Sequence, residues 1–174
     1  MWPVNFRARF SITMALNAYL KIVAQRQGPI LGSVTQKGRE GTIQVIAVMH
    51  EIVSPRAPAS GRPTGKRTHK PFVITKLIDR ASPLLYGILT SNENIPTFVL
   101  QFFRPDNSGI EKQHFTIQLT NANISAINFR MPNTRSKFGM QMPEREEVAF
   151  TYQKISWTWN EGGISADDDW ETPR

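Results

Sequence analysis

A chain of 174 residues with 40% hydrophobic content is long enough to bury a core without metals or disulfides, and too short for two ordinary domains. It contains no cysteine, which excludes a disulfide scaffold, a thiolate zinc site and a cysteine nucleophile together. The formal charge of +7 is of the kind found in nucleic-acid binders, but the cations are scattered in ones and twos and only Arg62 to Lys70 is locally dense.

The first thirteen residues, MWPVNFRARFSIT, hold Arg7 and Arg9 and no acid. With Phe10, Ile12, Met14, Ala15 and Leu16 they imitate the charged and apolar regions of a secretory signal. Asn17 and Lys21 interrupt that run, so Leu16, Tyr19 and Ile22 read equally well as a first strand. Residues 1–13 are expected to be an upstream extension or a disordered arm, with Met14 as a natural initiator and a single domain over 14–174. No stretch approaches the ~18 uninterrupted apolar residues of a transmembrane helix, so no membrane insertion is expected.

No repeat is visible, and the punctuation is that of many strands joined by turns. Thr42 to Val53 is rich in β-branched residues and apolar on both alternating faces, which predicts a strand covered on both sides. Ser54 to Lys70 follows, with three prolines, two glycines, five Lys or Arg and no acid. Such a segment cannot offset its ordering entropy by burial in its own protomer, and reads as a long extended loop with a functional role. Ser82 as cap, Pro83 at the first helical position and the stripe Leu84, Leu85, Ile88 and Leu89 predict one helix ending near Asn92.

Phe98, Leu100 and Phe102 alternate before the turn Pro105-Asp106-Asn107-Ser108-Gly109, and Phe115, Ile117 and Leu119 alternate after it, predicting a hairpin. Ser125, Ile127 and Phe129 suggest another strand, ended by Pro132, and Asn133 to Met142 is a second irregular stretch. Between Glu147 and Trp159 the phase breaks: Val148, Phe150 and Tyr152 are even, whereas Ile155, Trp157 and Trp159 are odd. A bulge or a change of sheet is the natural cause. The fold class is therefore mainly β: a closed or partly closed antiparallel β-barrel with one short α-helix and a long extended loop.

Catalytic chemistry has no handle. His50, His69 and His114 lack metal-like spacing and read as satisfied or surface imidazoles. Glu146 with Glu147, and Asp167, Asp168 and Asp169, are adjacent on extended chain and point to opposite faces, so they cannot share a proton. The aspartate run reads as a solvated tail or a partner for the basic loop. No GxSxG, P-loop or GxGxxG occurs; Gly61-Arg62-Pro63-Thr64-Gly65-Lys66 lacks the spacing and following helix of a phosphate cradle. No enzyme activity, cofactor or metal is expected. An oligonucleotide-binding β-barrel module is the alternative, but the basic loop has no aromatic residue on which bases could stack.

Four blocks in order decide the expectation: Gly32 to Arg56 (GSVTQKGREGTIQVIAVMHEIVSPR), Ser60 to Leu89, Glu111 to Ile124, and Glu146 to Trp170. Together they closely resemble the hemolysin-coregulated (Hcp) tube proteins of type VI secretion, over essentially Met14 to Trp170. The resemblance implies a barrel-like protomer that forms hexameric rings stacking into a hollow tube. That tube is wrapped by a sheath, tipped by a spike protein, and carries small effector proteins in its lumen, without nucleic acid. It also implies assembly in the cytoplasm and export without a signal peptide. The loop Ser54 to Lys70 resembles the family's extended loop, which reaches a neighbouring subunit or ring. Pro55, Arg56, Thr64, Gly65, Lys66, Arg67 and His69 are its candidate contacts, with Arg56, Lys66 and Arg67 expected to pair with acids across the junction. This chain departs from the family pattern at residues 1–13 and looks variable at Asn133 to Met142.

Overall fold

Short runs of β-branched and aromatic residues, punctuated by glycine, proline and asparagine, carry most of this chain into strands. The computed structural model describes residues 16–106 and 108–170. The predicted N-terminal extension and Asn107 of the predicted turn lie outside the described residues. In chain order the strands are β1 (Ala18–Ala24), β2 (Gly28–Ile30), β3 (Ile43–Val45), β4 (Ala47–Met49), β5 (Ile52–Val53), β6 (Thr68–His69) and β7 (Phe72–Leu77). After the helix α1 (Ser82–Thr90) come β8 (Thr97–Pro105), β9 (Glu111–Thr120), β10 (Asn123–Arg130), β11 (Arg145–Thr151), β12 (Lys154–Trp159) and β13 (Ile164–Asp169). A 3-10 turn at Gly139–Gln141 interrupts the second irregular stretch.

One sheet runs β13-β12-β9-β8-β1, with β2 and β3 lying along the same side of β1: Ile22 faces Ile30, and Leu20 faces Ile43. The second runs β10-β11-β7-β4, and β5 with β6 forms a separate two-stranded hairpin. The core is shared between the two large sheets and the helix. Leu20, Phe98 and Leu100 come from the first sheet, Phe72, Ile74, Val148 and Phe150 from the second, and Leu85 and Ile88 from α1. Phe98 meets Phe72 and Phe150 edge-on, at centroid distances of 5.7 and 5.0 Å, the arrangement favoured by the ring quadrupoles.

Several expectations hold. β8 and β9 form the predicted hairpin, Phe98 opposite Leu119. The phase break after Tyr152 is a change of sheet: β11 pairs with β7 and β10, and β12 with β9 and β13.

Others are corrected. The barrel is open: no continuous ladder among the described residues joins the two large sheets. The chain passes between them at Ile46, whose N–H reaches the Thr75 carbonyl at 2.9 Å, and at Tyr152, but their outer strands do not pair with one another. Thr42 to Val53 is not one covered strand. It breaks into β3, β4 and β5 in three different sheets, and Met49, Ile52 and Val53 are exposed. Ser82 is the first helical residue rather than the cap, which is Ala81, because its hydroxyl turns inward to Glu146 Oε1 at 2.8 Å and to Lys76 Nζ at 2.9 Å. Of the predicted stripe, Leu85 and Ile88 are fully buried and Leu89 packs against the core, whereas Leu84 is exposed.

Gly32 marks one of the tightest backbone approaches in the fold. A Cβ there would stand 2.2 Å from the Thr42 carbonyl oxygen and 2.6 Å from the Ile43 Cα. Since backbone must move to admit it, Gly32→Ala is expected to destabilise the protein by at least ~2 kcal/mol, read as a lower urea midpoint with an unchanged slope. An unaltered midpoint would show that the β2-to-β3 loop yields freely.

Candidate functional site

The basic segment is an arm with its own pairing. At its root, Ile52 faces His69 and Val53 faces Thr68, and the Lys70 N–H donates to the Glu51 carbonyl at 3.0 Å. Further out, the Thr64 N–H donates to Pro55 O (3.0 Å), Arg56 bridges Pro63, and the Ala57 N–H donates to Arg62 O (2.9 Å). The Gly61 N–H closes the tip on Ala57 O at 2.8 Å, with Gly61 at φ +65°, in the left-handed region that glycine adopts without steric penalty. The prolines occupy positions that need no donor. Thus the segment expected to be structureless is a long narrow hairpin. Residues 58–66 are all exposed, so the arm is held by its own ladder and its root.

Pro55, Arg56, Thr64, Gly65 and Lys66 lie on this projecting part, where no other element of the protomer covers them. Arg67 and His69 do not. Arg67, expected to pair across a junction, instead grips the Asp168 carboxylate of its own chain and donates to the Asp169 carbonyl at 2.6 Å. His69 is buried, with Nε2 at 2.8 Å from Asp168 Oδ2 and Nδ1 at 2.8 Å from the Tyr152 hydroxyl. His50 Nε2 reaches the same hydroxyl at 2.6 Å. The aspartate run is therefore the basic segment's partner at Asp168, while Asp167 pairs with Lys154 at 2.8 Å.

The electrostatics follow from this packing. The Arg67 hydrogen bond foremost, with His69, holds the Asp168 carboxyl below its ordinary range against burial. Burial, reinforced by the Asp168 charge, pushes the Tyr152 phenol up, so it stays protonated and is no nucleophile. Burial, then the neighbouring His69, pulls the His50 imidazole down. Among the described residues no group of three or more His, Cys, Asp or Glu is placed to hold a metal ion. The cluster can order protons and fasten the arm.

Over residues 19–159 the chain matches the family model "Type VI secretion system effector, Hcp". This chain belongs to the Hcp family. The "Major exported protein" of Pseudomonas aeruginosa is 39% identical to it over 169 residues, covering 92% of this chain and 98% of that protein. Its fold is similar to the crystal structure of an Hcp protein at 32% identity and a TM-score of 0.83. It also resembles an E. coli EAEC 042 Hcp1 double mutant at 31% and 0.79, and the secreted protein Hcp3 of Pseudomonas aeruginosa at 33% and 0.72. Each of these three covers 90% of this chain and 99% of the known structure. The matched segment, residues 19–159, spans the whole arm.

The sequence did not single out Tyr152 as the centre of the arm's root. Its only signal was its place at the phase break, where a chain leaving one sheet for another puts a side chain between them.

Proposed function

We propose that this Hcp-family chain is a structural subunit of the type VI secretion inner tube. It forms hexameric rings that stack into a hollow tube, and acts without catalytic turnover. The observation that carries this reading is the arm: basic and free of acids from Ser54 to Lys70, it is fastened to its own protomer only at the root by Arg67 and His69, and residues 58–66 are all exposed. Such a device gains its burial from another copy. Pro55, Arg56, Thr64, Gly65 and Lys66 are the contacts, with Arg56 and Lys66 meeting acids across the junction and the prolines limiting the entropy lost on docking.

A ring requires one patch to meet a different patch on the next copy until the rotation closes. The open sheets and exposed Met49, Ile110, Met131, Phe138 and Ile164 supply apolar surface for such contacts. The sheath and spike are the outer partners and small effector proteins the luminal cargo. Assembly takes place in the cytoplasm and the tube is exported without a signal peptide; the name of the Pseudomonas relative supports the export. The chain from 14 to 174 acts as one domain.

Light scattering after size exclusion, at two concentrations and two salt levels, tests the reading. A species of about six protomers that stacks further with concentration is expected. A strict monomer that binds single-stranded DNA with steep salt dependence would overturn it in favour of an oligonucleotide-binding module.

A further inference from the structure

Tyr152, between β11 and β12, receives two imidazoles on one hydroxyl: His50 from the β4–β5 link and His69 from the arm strand β6. A carboxylate only accepts, so His69 donates from Nε2 to Asp168 and, when neutral, accepts at Nδ1. The partners thus assign one ordered chain of donors: His50 Nε2–H to Tyr152, Tyr152 O–H to His69, and His69 to Asp168. A single proton added to His69 is accommodated by turning the hydroxyl towards His50, provided the neutral His50 carries its hydrogen on Nδ1 so that Nε2 accepts. A second proton on the pair aims two imidazolium N–H groups at one oxygen, displaces the hydroxyl hydrogen from both rings, and sets two cations at a centroid distance of 6.2 Å.

We propose that the arm's root is a proton-operated latch, fastened while His50 is neutral and released when His50 takes a proton. The surroundings leave His50 as the trigger. Phe72 of β7 packs on its ring at 5.2 Å and Trp170 packs on His69 at 5.2 Å, both without charge. Among the described residues the charged groups at the root are Arg67 and Asp168, paired with each other, and the exposed Glu51–Lys70 pair at 2.8 Å beside the ladder.

The direction follows by linkage. Burial and His69 hold His50 below its ordinary value of 6.5 in the latched state, and release returns it to that value. The latch's stabilisation is therefore complete above about pH 6.5 and lost as the pH falls through His50's lower, latched value. Asp168, held below 3.8, acts only in stronger acid, and Tyr152 stays protonated throughout. The latch is a property of one protomer; its consequence, looser ring stacking in mild acid, rests on the tube reading above.

Hydrogen–deuterium exchange of the full chain at about pH 7.5 and about pH 5.5, corrected for intrinsic rates, tests it. Protection at the β5–β6 ladder is expected to fall several-fold in acid, while the β8–β9 ladder is unchanged. His50→Gln, which keeps a donor for Tyr152 but cannot take a proton, is expected to abolish that fall. As a measurement that needs no variant, the His50 ring protons in NMR are expected to titrate together with the loss of root protection. Unchanged root protection in the wild type, equal loss in β8–β9, a fall that persists in His50→Gln, or a His50 titration that does not track the root would each overturn the latch. Particle mass on the same samples reports separately on the tube reading.

Discussion

Glu146→Ala is expected to destabilise the protein by about 3–5 kcal/mol, seen as a large drop in the chemical-denaturation midpoint. Lys76 and Glu146 face each other across β7 and β11, both with fully buried side chains, and Nζ lies 2.8 Å from Oε1. The same ammonium also reaches Asp79 Oδ1 at 2.9 Å, Ser82 Oγ at 2.9 Å and Leu77 O at 2.7 Å, so the cation ties β7, β11 and the start of α1 together. Removing the carboxylate leaves the buried cation with Asp79 as its remaining carboxylate partner and opens a gap beside it. The double replacement Lys76→Met with Glu146→Leu is expected to recover part of the loss, because two apolar side chains of similar volume remove the buried pair together while Asp79 keeps the Ala81 N–H at 2.9 Å. If Glu146→Ala shifted the midpoint by less than ~1 kcal/mol, the pair would be behaving as a surface ion pair and its burial would be of no energetic consequence.

Cutting the arm back to its root is expected to leave the protomer folded and ring formation intact while abolishing stacking of rings. Pro55 O already accepts from the Thr64 N–H at 3.0 Å, the bond that closes a two-residue hairpin turn, so Asn-Gly in place of residues 56–63 fits that position. The deleted residues are almost entirely exposed, and surface changes of this kind alter stability by no more than about 0.5 kcal/mol. Arg56 and Arg62 go with them, and the tube reading assigns Arg56 to contact with an acid of another copy. Electron microscopy or sedimentation at high protein concentration distinguishes the outcomes: single rings from the shortened chain and tubes from the parent are expected. Tubes of equal length from both would show that the arm does not join rings.

Much of this protein was legible in order along its chain. Period-two alternation marked β8 and β9, the Ser82-Pro83 start and its apolar stripe placed α1 to within a residue or two, and the change of parity after Tyr152 announced a change of sheet. The composition of Ser54 to Lys70 marked a segment that its own protomer could not bury, and four ordered blocks carried the family. Even Lys76 left a trace, since it falls in phase with Phe72 and Ile74, as Glu146 does with Val148 and Phe150.

Whether these phases meet was beyond local pattern. Lys76 and Glu146 lie 70 residues apart, His69 and Asp168 lie 99 apart, and His50 and Tyr152 lie 102 apart. Periodicity reports which side of a strand faces the core, but not which distant strand lies opposite. Only the packed sheets decided that Arg67 and His69 turn back into their own protomer, that Tyr152 joins two imidazoles, and that the barrel stays open. Those outcomes depend on backbone ladders and buried charges brought together by closing long loops, a cost that is set by the whole topology rather than by any stretch of sequence.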